Sequence, residues 1–199
     1  YSIPMPGKVI VGKKGIKEIS SILSKVPSNK NVLLLTDKGI KESGLLTGIL
    51  EVLESEADFL HILDNVPSEP SLDEVETLIA EAREHDFSLV IGIGGGSVLD
   101  SAKIVAALLV ENPSLRELVS GAVLQNKGKQ TLLIPTTSGT GSEATPNAIV
   151  AVPEEKRKVG IVSDIFLPNY VILDPTMTLS LPTKITAATG VDALCHAIE

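Results

Sequence analysis

Residues 88–97 read Ser-Leu-Val-Ile-Gly-Ile-Gly-Gly-Gly-Ser, and an apolar helical pattern follows directly over residues 98–110. Glycines have no Cβ and let backbone amides approach an oxyanion closely, while the start of the following helix presents unpaired N–H groups. The stretch therefore predicts a strand, a phosphate- or pyrophosphate-binding turn and a helix. Ser97 is expected to cap that helix and to donate to a phosphate oxygen. The alternative is a tight strand-to-helix turn that binds no ligand.

On both sides of this stretch, short β-rich runs alternate with helical patterns. The predicted strands are Lys8–Val11, Asn31–Thr36, Asp58–Ile62, Ser88–Ile93, Thr131–Ile134, Ala148–Val152 and Tyr170–Leu173. The predicted helices between them include Gly15–Lys25, Lys41–Ser55 and Ser71–His85, the last of which begins with a capping box formed by Ser71 and Glu74. Strands joined through helices predict an α/β fold with a Rossmann-like, mainly parallel sheet covered by helices on both faces.

The two ends of the chain differ from this pattern. Pro4 and Pro6 precede the first strand, which we therefore expect at an edge of the sheet. Residues 182–199 form a helical pattern in which Gly190 should weaken or bend the middle, and no residue typical of a helix end follows. We expect a dinucleotide-binding α/β domain over residues 1–178 and the first helix of a truncated, all-helical domain over residues 179–199.

Composition excludes several classes of protein. The 199 residues carry a net charge of −8 and include only two Tyr, three Phe and no Trp, which argues against nucleic-acid binding. No apolar run reaches the ~20 residues of a membrane-spanning helix, so no membrane partner is expected. One cysteine and no secretory signal pattern favour the cytoplasm.

Further polar groups are expected near the glycine turn. The third glycine of the usual Rossmann fingerprint is replaced by Ser97, and no acidic residue follows at the usual distance. An acidic residue comes earlier instead: Asp37 directly follows the predicted strand Asn31–Thr36, where its carboxylate would accept hydrogen bonds from the ribose hydroxyls of adenosine or, alternatively, cap the next helix. A loop rich in hydroxyls and glycine, residues 135–143, follows another buried strand and should emerge at the same edge of the sheet.

One pair of residues has the spacing of metal ligands. Asp192 and His196 are four positions apart on the predicted last helix, so both lie on one face, although an isolated pair of this kind often arises by chance. His61 and His85 have no expected partner and are interpreted as structural. Cys195 lies on a different face from His196 and is interpreted as a small buried hydrophobe.

Four segments together resemble the iron-containing (group III) alcohol dehydrogenases of the dehydroquinate synthase-like superfamily. They are Gly-Gly-Gly-Ser-Val-Leu-Asp-Ser-Ala-Lys (94–103), Pro-Thr-Thr-Ser-Gly-Thr-Gly-Ser-Glu (135–143), Asp-Pro (174–175) with Leu-Pro (181–182), and Thr-Ala-Ala-Thr-Gly-Val-Asp-Ala-Leu-Cys-His-Ala-Ile-Glu (186–199). The similarity covers essentially all 199 residues, and it corresponds to the N-terminal half of such an enzyme. We therefore expect a chain that lacks the helical half.

The resemblance implies a role for each of the matching residues. It assigns Asp37 to the adenosine ribose, Gly94, Gly95, Gly96, Ser97 and Val98 to the pyrophosphate, Thr136, Thr137, Thr140 and Ser142 to the cofactor cleft, and Lys158 and Leu179 to the nicotinamide end. It also implies that Asp192 and His196 bind Fe²⁺ or Zn²⁺ together with two histidines of the absent half. Members of the family often carry Asn where this chain has Glu69, so the resemblance does not extend to that contact with the adenosine side of the cofactor.

The resemblance implies an NAD- and metal-dependent oxidoreductase that transfers a hydride between an alcohol or aldehyde and nicotinamide. NAD is expected rather than NADP, because Asp37 would repel a 2′-phosphate. No catalytic residue is expected beyond the metal ligands, and a homodimer is expected. A glycerol dehydrogenase or dehydroquinate synthase-like enzyme of the same fold, or a non-catalytic dinucleotide-binding module, are the alternatives.

Overall fold

A parallel β-sheet runs through the centre of the computed structural model, which describes residues 3–26, 29–110 and 113–198. In these ranges the strands are β1 (Lys8–Val11), β2 (Asn31–Leu35), β3 (Phe59–Leu63), β4 (Leu89–Gly94), β5 (Gln130–Pro135), β6 (Asn147–Val152), β7 (Arg157–Val162) and β8 (Tyr170–Leu173). The α-helices are α1 (Ile19–Leu23), α2 (Lys38–Glu42), α3 (Thr47–Glu56), α4 (Leu72–Ala82), α5 (Gly96–Leu108), α6 (Leu115–Val119) and α7 (Thr183–Ile198). Short 3₁₀ turns cover Gly15–Glu18, Pro153–Glu155, Asp164–Phe166 and Pro175–Thr178.

The sheet has the strand order β1-β8-β5-β4-β2-β3, and every neighbouring pair in it is parallel. The predicted α/β class with a mainly parallel sheet is therefore confirmed. β1 lies at one edge, as the prolines before it predict. β4 and β5 are neighbours at the centre, so the loops that follow them emerge side by side.

Both faces of the sheet are buried, as the predicted architecture requires. Leu33 and Leu35 of β2 belong to the core under α4 and α5, whereas Val32 and Leu34 belong to the core under α1 and α3. Alternate residues of a strand point to opposite faces, so a fully apolar strand packs against helices on both sides.

Helix α5 is buried almost all round, because it packs against β4, β5 and β6 as well as α4. It begins at Gly96, with Gly95 as the N-terminal capping position, rather than at residue 98. Ser97 therefore lies inside the first turn and does not cap the helix, which corrects the sequence-based expectation. The backbone amides of the glycine turn themselves form the start of the helix.

Three other elements differ from the predicted pattern. The helix predicted over residues 41–55 is divided into α2 and α3, because Gly44 adopts a φ of +79° that ends the first of them. The helix predicted over residues 15–25 begins as a 3₁₀ turn. Strand β7 was not predicted; it pairs antiparallel with β6 in a hairpin that lies outside the parallel sheet.

Helix α7 is one uninterrupted helix from Thr183 to Ile198, so Gly190 does not break it. Within this helix no residue is buried, and Cys195 is exposed, which corrects its interpretation as a buried hydrophobe. The division of the chain after residue 178 stays a prediction. Among the described residues, no helix has the length and apolar character needed to cross a membrane.

Candidate functional site

A cleft of about 330 Å³ opens at the carboxyl end of the central strands. Its walls come from the segment after β3, the first turns of α5, the loop after β5, the β6–β7 hairpin and α7. The lining residues are Ser68, Glu69, Pro70, Gly96, Ser97, Asp100, Thr140, Ser142, Ile149, Ala151, Lys158, Asp192 and His196. The position agrees with the general rule that open α/β sheets bind ligands where their strands end.

The glycine turn and the hydroxyl-rich loop are in direct contact. A Cβ added to Gly96 would lie 3.0 Å from Cγ2 of Thr140 and 3.2 Å from Oγ of Ser142, which leaves no comfortable space for a side chain. At the base of the turn, the N–H of Thr136 donates to the carbonyl of Gly94 over 3.0 Å. The structure thus brings together the two segments that the sequence places at one edge of the sheet.

The side chain of Ser97 makes a contact that the sequence did not predict, while its contact with a phosphate stays a prediction. Its hydroxyl donates to the carbonyl of Ser68, in the segment that follows β3. The same segment is held from the other side, because the N–H of Ala151 donates to the carbonyl of Pro70 over 2.9 Å. Residues 68–70 therefore form a bridge between the first turn of α5 and the β6–β7 hairpin.

A buried ion pair lies at the back of the cleft. Nζ of Lys103 is 3.0 Å from Oδ1 of Asp100, and the two side chains are 0% and 7% exposed. Lys103 also donates to the carbonyls of Ser142, at 2.8 Å, and Asn147, while Oδ2 of Asp100 accepts the N–H of Ile149 over 3.1 Å. The pair ties α5 to the loop after β5 and to β6, which are the walls of the cleft.

Burial opposes the charge of both partners. It raises the pKa of Asp100 and lowers the pKa of Lys103, while the attraction between the two groups acts in the opposite direction on each. Each partner therefore depends on the other to remain ionised in the protein interior.

Asp192 and His196 lie in the cleft as the predicted pair on one face of α7. Oδ1 of Asp192 is 3.7 Å from Nε2 of His196, and both side chains are partly exposed. The loop after β5 approaches this helix so closely that a Cβ on Gly139 would lie 2.5 Å from the carbonyl of Thr189 and 3.2 Å from Oδ2 of Asp192. Among the residues that the structure describes, no third histidine, cysteine or carboxylate joins the pair.

The remaining predicted residues lie around the cleft or outside it. Thr136 and Val98 are buried beneath the turn, and Thr137 lies 3.6 Å from the position of a Cβ on Gly95. Leu179 is 80% exposed and does not line the cleft. Lys158 lines it and forms an ion pair of 2.8 Å with Glu69.

Asp37 lies two residues after β2 and caps α2, since its Oδ1 accepts the N–H of Ile40 over 2.9 Å. Of the two roles that the sequence leaves open for Asp37, the structure shows the helix cap. Its partly exposed carboxylate lies at the carboxyl end of β2, next to β4, but not on the wall of the cavity itself. A contact with ribose stays a prediction.

His61 and His85 pack with Phe59 and Phe87 in an aromatic cluster at the far edge of the sheet. The ring centroids of His61 and His85 are 5.7 Å apart, and those of His85 and Phe59 are 4.8 Å apart. Nε2 of His61 is 3.4 Å from a carboxylate oxygen of Glu81, a partner that the sequence did not predict. None of these residues lines the cleft.

Sequence reasoning assigned no role to Asp100, Lys103, Ile149 or Ala151. A signal was present for the first two, because two charges three positions apart interrupt an otherwise apolar helix, and charges buried in a helix are nearly always paired. Ile149 and Ala151 gave no signal, because their place on the cleft depends on the unpredicted hairpin.

The sequence matches a known family. The profile of iron-containing alcohol dehydrogenases matches residues 6–175. The chain is 41% identical over 173 residues to long-chain-alcohol dehydrogenase 1 of Geobacillus thermodenitrificans, which covers 85% of this chain and 43% of that protein. It is 33% identical over 192 residues to the sulfoacetaldehyde reductase of Bilophila wadsworthia, covering 96% of this chain and 49% of that protein. The chain spans about half the length of the curated relatives it matches.

Solved structures show the same similarity. An iron-containing alcohol dehydrogenase from Thermotoga maritima matches with a TM-score of 0.90 at 36% identity, over 100% of this chain and 54% of that one. A sulfoacetaldehyde reductase from Bifidobacterium kashiwanohense, solved with NAD⁺, matches with a TM-score of 0.91 at 29% identity, over 100% of this chain and 52% of that one.

Proposed function

Because the chain belongs to the iron-containing alcohol dehydrogenase family, we propose that it is the dinucleotide-binding part of an NAD-dependent and metal-dependent oxidoreductase. The family consists of oxidoreductases that act on alcohols and aldehydes, which are the proposed class of substrate. Residues 1–178 would bind the dinucleotide, and residues 179–199 would begin the helical part that completes the active site.

The observation that carries this proposal is the junction of β4 and α5. Gly96, the first residue of the 13-residue helix α5, lines the cleft, so the start of the helix, with its free N–H groups and positive end, faces the cleft. Thr140 and Ser142 add hydroxyl groups to the facing wall. An arrangement of close backbone amides and short donors suits the pyrophosphate of a dinucleotide.

The carboxylate of Asp37 would orient the adenosine end by accepting hydrogen bonds from the ribose hydroxyls, and its charge would disfavour a 2′-phosphate. Lys158 would lie towards the nicotinamide end. The relative solved with NAD⁺ supports this choice of cofactor.

Asp192 and His196 fit two positions of a divalent metal site, because a carboxylate and an imidazole of one helix face both line the cleft, 3.7 Å apart. Fe²⁺ and Zn²⁺ both suit these ligand types. When bound, NAD supplies the hydride acceptor and a divalent cation supplies the Lewis acidity that helps an alcohol lose its proton. The task of this chain is to place these groups at one cleft.

The proposal is tested by titrating the chain with NADH and following its fluorescence. Gly95→Ala is the informative variant, because the added Cβ would meet only Thr137, at an ordinary 3.6 Å, so the fold should tolerate it. If a pyrophosphate occupies the turn, the added methyl group should keep it from approaching the backbone amides closely. We therefore expect the affinity for NADH to fall about tenfold or more.

Gly48→Ala is the matched control, because a Cβ there meets nothing within 4 Å and lies on α3, away from the cleft. It should leave the Kd for NADH unchanged. Failure of the unmodified chain to bind NADH, or equal binding by Gly95→Ala, would refute the proposed pyrophosphate site.

A further inference from the structure

Glu69 and Lys158 form an ion pair on the wall of the cleft. Glu69 belongs to the segment after β3 and Lys158 to β7, and Nζ of Lys158 donates to Oε1 of Glu69 over 2.8 Å. The backbone fixes both partners, since Ala151 bonds to Pro70 on one side and is paired with Lys158 in the β6–β7 hairpin on the other. The hydrogen bond from Ser97 to Ser68 then anchors the same segment to the glycine turn.

The charges around the cleft make this pair important. Among the described residues that line it, Lys158 is the one with an amine or guanidinium group. The carboxylate of Asp100 is balanced by Lys103 behind the wall, and Asp192 adds a further carboxylate. A cleft whose backbone amides and hydroxyls suit an anion therefore has its one lysine already occupied by a carboxylate of the chain itself.

We propose that Glu69 holds Lys158 in an ion pair that competes with an anionic group of the bound ligand for the lysine, and that Glu69 thereby weakens binding of the dinucleotide. A neutral amide at this position, as in Glu69→Gln, has no charge with which to hold the lysine. The identity of the anion rests on the proposed function, whereas the competition for Lys158 rests on the ion pair itself.

The solvent exposure of the two side chains sets the size of the expected change in affinity. The side chains of Lys158 and Glu69 are 57% and 67% exposed, so the pair is screened by solvent. Exposed pairs are worth about 0.2–1 kcal/mol, which corresponds to a change of about 1.4- to fivefold in affinity. Because the Debye length falls from ~30 Å at 0.01 M salt to ~8 Å at 0.15 M, the effect should be largest at low salt.

The experiment is a double-variant cycle on the chain with Glu69→Gln, Lys158→Gln and both together. Each form is titrated calorimetrically with NADH and, separately, with inorganic pyrophosphate, at low and at physiological ionic strength. Glu155→Gln is the matched control, because Glu155 also pairs with a basic residue of the same hairpin, Arg157, but lies outside the cleft.

We expect Glu69→Gln to bind NADH about two- to fivefold more tightly at low salt, with a smaller gain at 0.15 M. In the Lys158→Gln background the same change should bring little further gain, and Glu155→Gln should bind as the unmodified chain does. An unchanged affinity of Glu69→Gln, or an equal gain with and without Lys158, would overturn the inference.

The outcomes separate this inference from the proposed function. NADH binding by the unmodified chain with no coupling between the two positions would refute the role of Glu69 alone. Coupling seen with pyrophosphate in a chain that does not bind NADH would support the competition and refute the dinucleotide site. If no form binds either anion, both proposals fail.

Discussion

The ammonium group of Lys103 lies 3.0 Å from the carboxylate of Asp100, and both side chains are buried between α5 and the β6–β7 hairpin. Lys103 donates hydrogen bonds to the carbonyl of Ser142, in the hydroxyl-rich loop, and to the carbonyl of Asn147, at the start of β6. One side chain therefore holds both segments in place. The stability of the cleft is thereby linked to a single ion pair.

Lys103→Met should destabilise the chain by about 3–5 kcal/mol, because it leaves a buried carboxylate and several carbonyls without their partner. Urea denaturation followed by circular dichroism measures the change. Adding Asp100→Asn to Lys103→Met should restore part of the stability, since the amide can still accept the N–H of Ile149 without a charge. A loss below about 1 kcal/mol in the single variant would contradict a structural role of the pair.

Asp37→Ser should reduce the preference for NADH over NADPH by about five- to 150-fold, because repulsion between the carboxylate and a 2′-phosphate would cost about 1–3 kcal/mol. The ratio of the Kd values for NADPH and NADH, determined for the variant and for the unmodified chain, measures this preference. Serine is chosen because its hydroxyl can still cap α2 at Ile40, so stability should change little.

Asp37→Gly provides the comparison, since it removes both the charge and the capping side chain, and glycine costs only a few tenths of a kcal/mol as a cap. The two variants should show the same cofactor preference. Equal dissociation constants for NADH and NADPH in the unmodified chain would count against the role of Asp37.

His196→Ala should lower the affinity of the chain for Zn²⁺ and leave its Kd for NADH nearly unchanged, because the proposed metal ligands on α7 and the glycine turn are separate parts of the cleft. Competition with a chromophoric chelator measures the affinity for Zn²⁺. In a protein extended to the length of its relatives, the same change should abolish metal-dependent alcohol oxidation.

Cys195→Ser serves as the control, because Cys195 is exposed and does not line the cleft. The chain without that extension should bind NADH but show no turnover, since Asp192 and His196 would supply only part of a metal site and no third histidine, cysteine or carboxylate joins them among the described residues. Retention of metal and rate by the His196→Ala enzyme would show that this histidine is not a ligand.

Ser71→Ala should cost about 0.5–2 kcal/mol at neutral pH, because Ser71 and Glu74 form the capping box at the start of α4. Hydrogen bonds from the hydroxyl and the N–H of Ser71 hold the pKa of Glu74 below its usual value. A carboxyl group with a lowered pKa in the folded state stabilises the fold above its unfolded pKa and loses this effect as the pH falls through the folded pKa.

The difference in stability between the Ser71→Ala variant and the unmodified chain should therefore be full above the ordinary glutamate pKa of 4.5 and should shrink as the pH falls below it. Urea denaturation of both proteins at a series of pH values measures this difference in stability. Ser114→Ala on α6, which has the same kind of box with Glu117, should behave alike. A difference independent of pH would show that the carboxylate contributes nothing to the cap.

The sequence determined the features that depend on neighbouring residues. Short β-rich runs between helical patterns predicted the parallel strands, the Ser71–Glu74 pair predicted the start of α4, and the spacing of Asp192 and His196 placed them on one helix face. Local sterics, hydrogen bonds and side-chain periodicity are enough to predict such features.

Only the tertiary structure decided which distant groups meet. Ser97 bonds to Ser68 instead of capping α5, β7 pairs with β6, and Glu69 reaches Lys158 across the cleft, 89 positions along the chain. The burial of Lys103 and Asp100 likewise arises only when α5 is covered by the sheet and the hairpin. These contacts depend on how separate elements pack, and no local pattern of side chains encodes the distance between them.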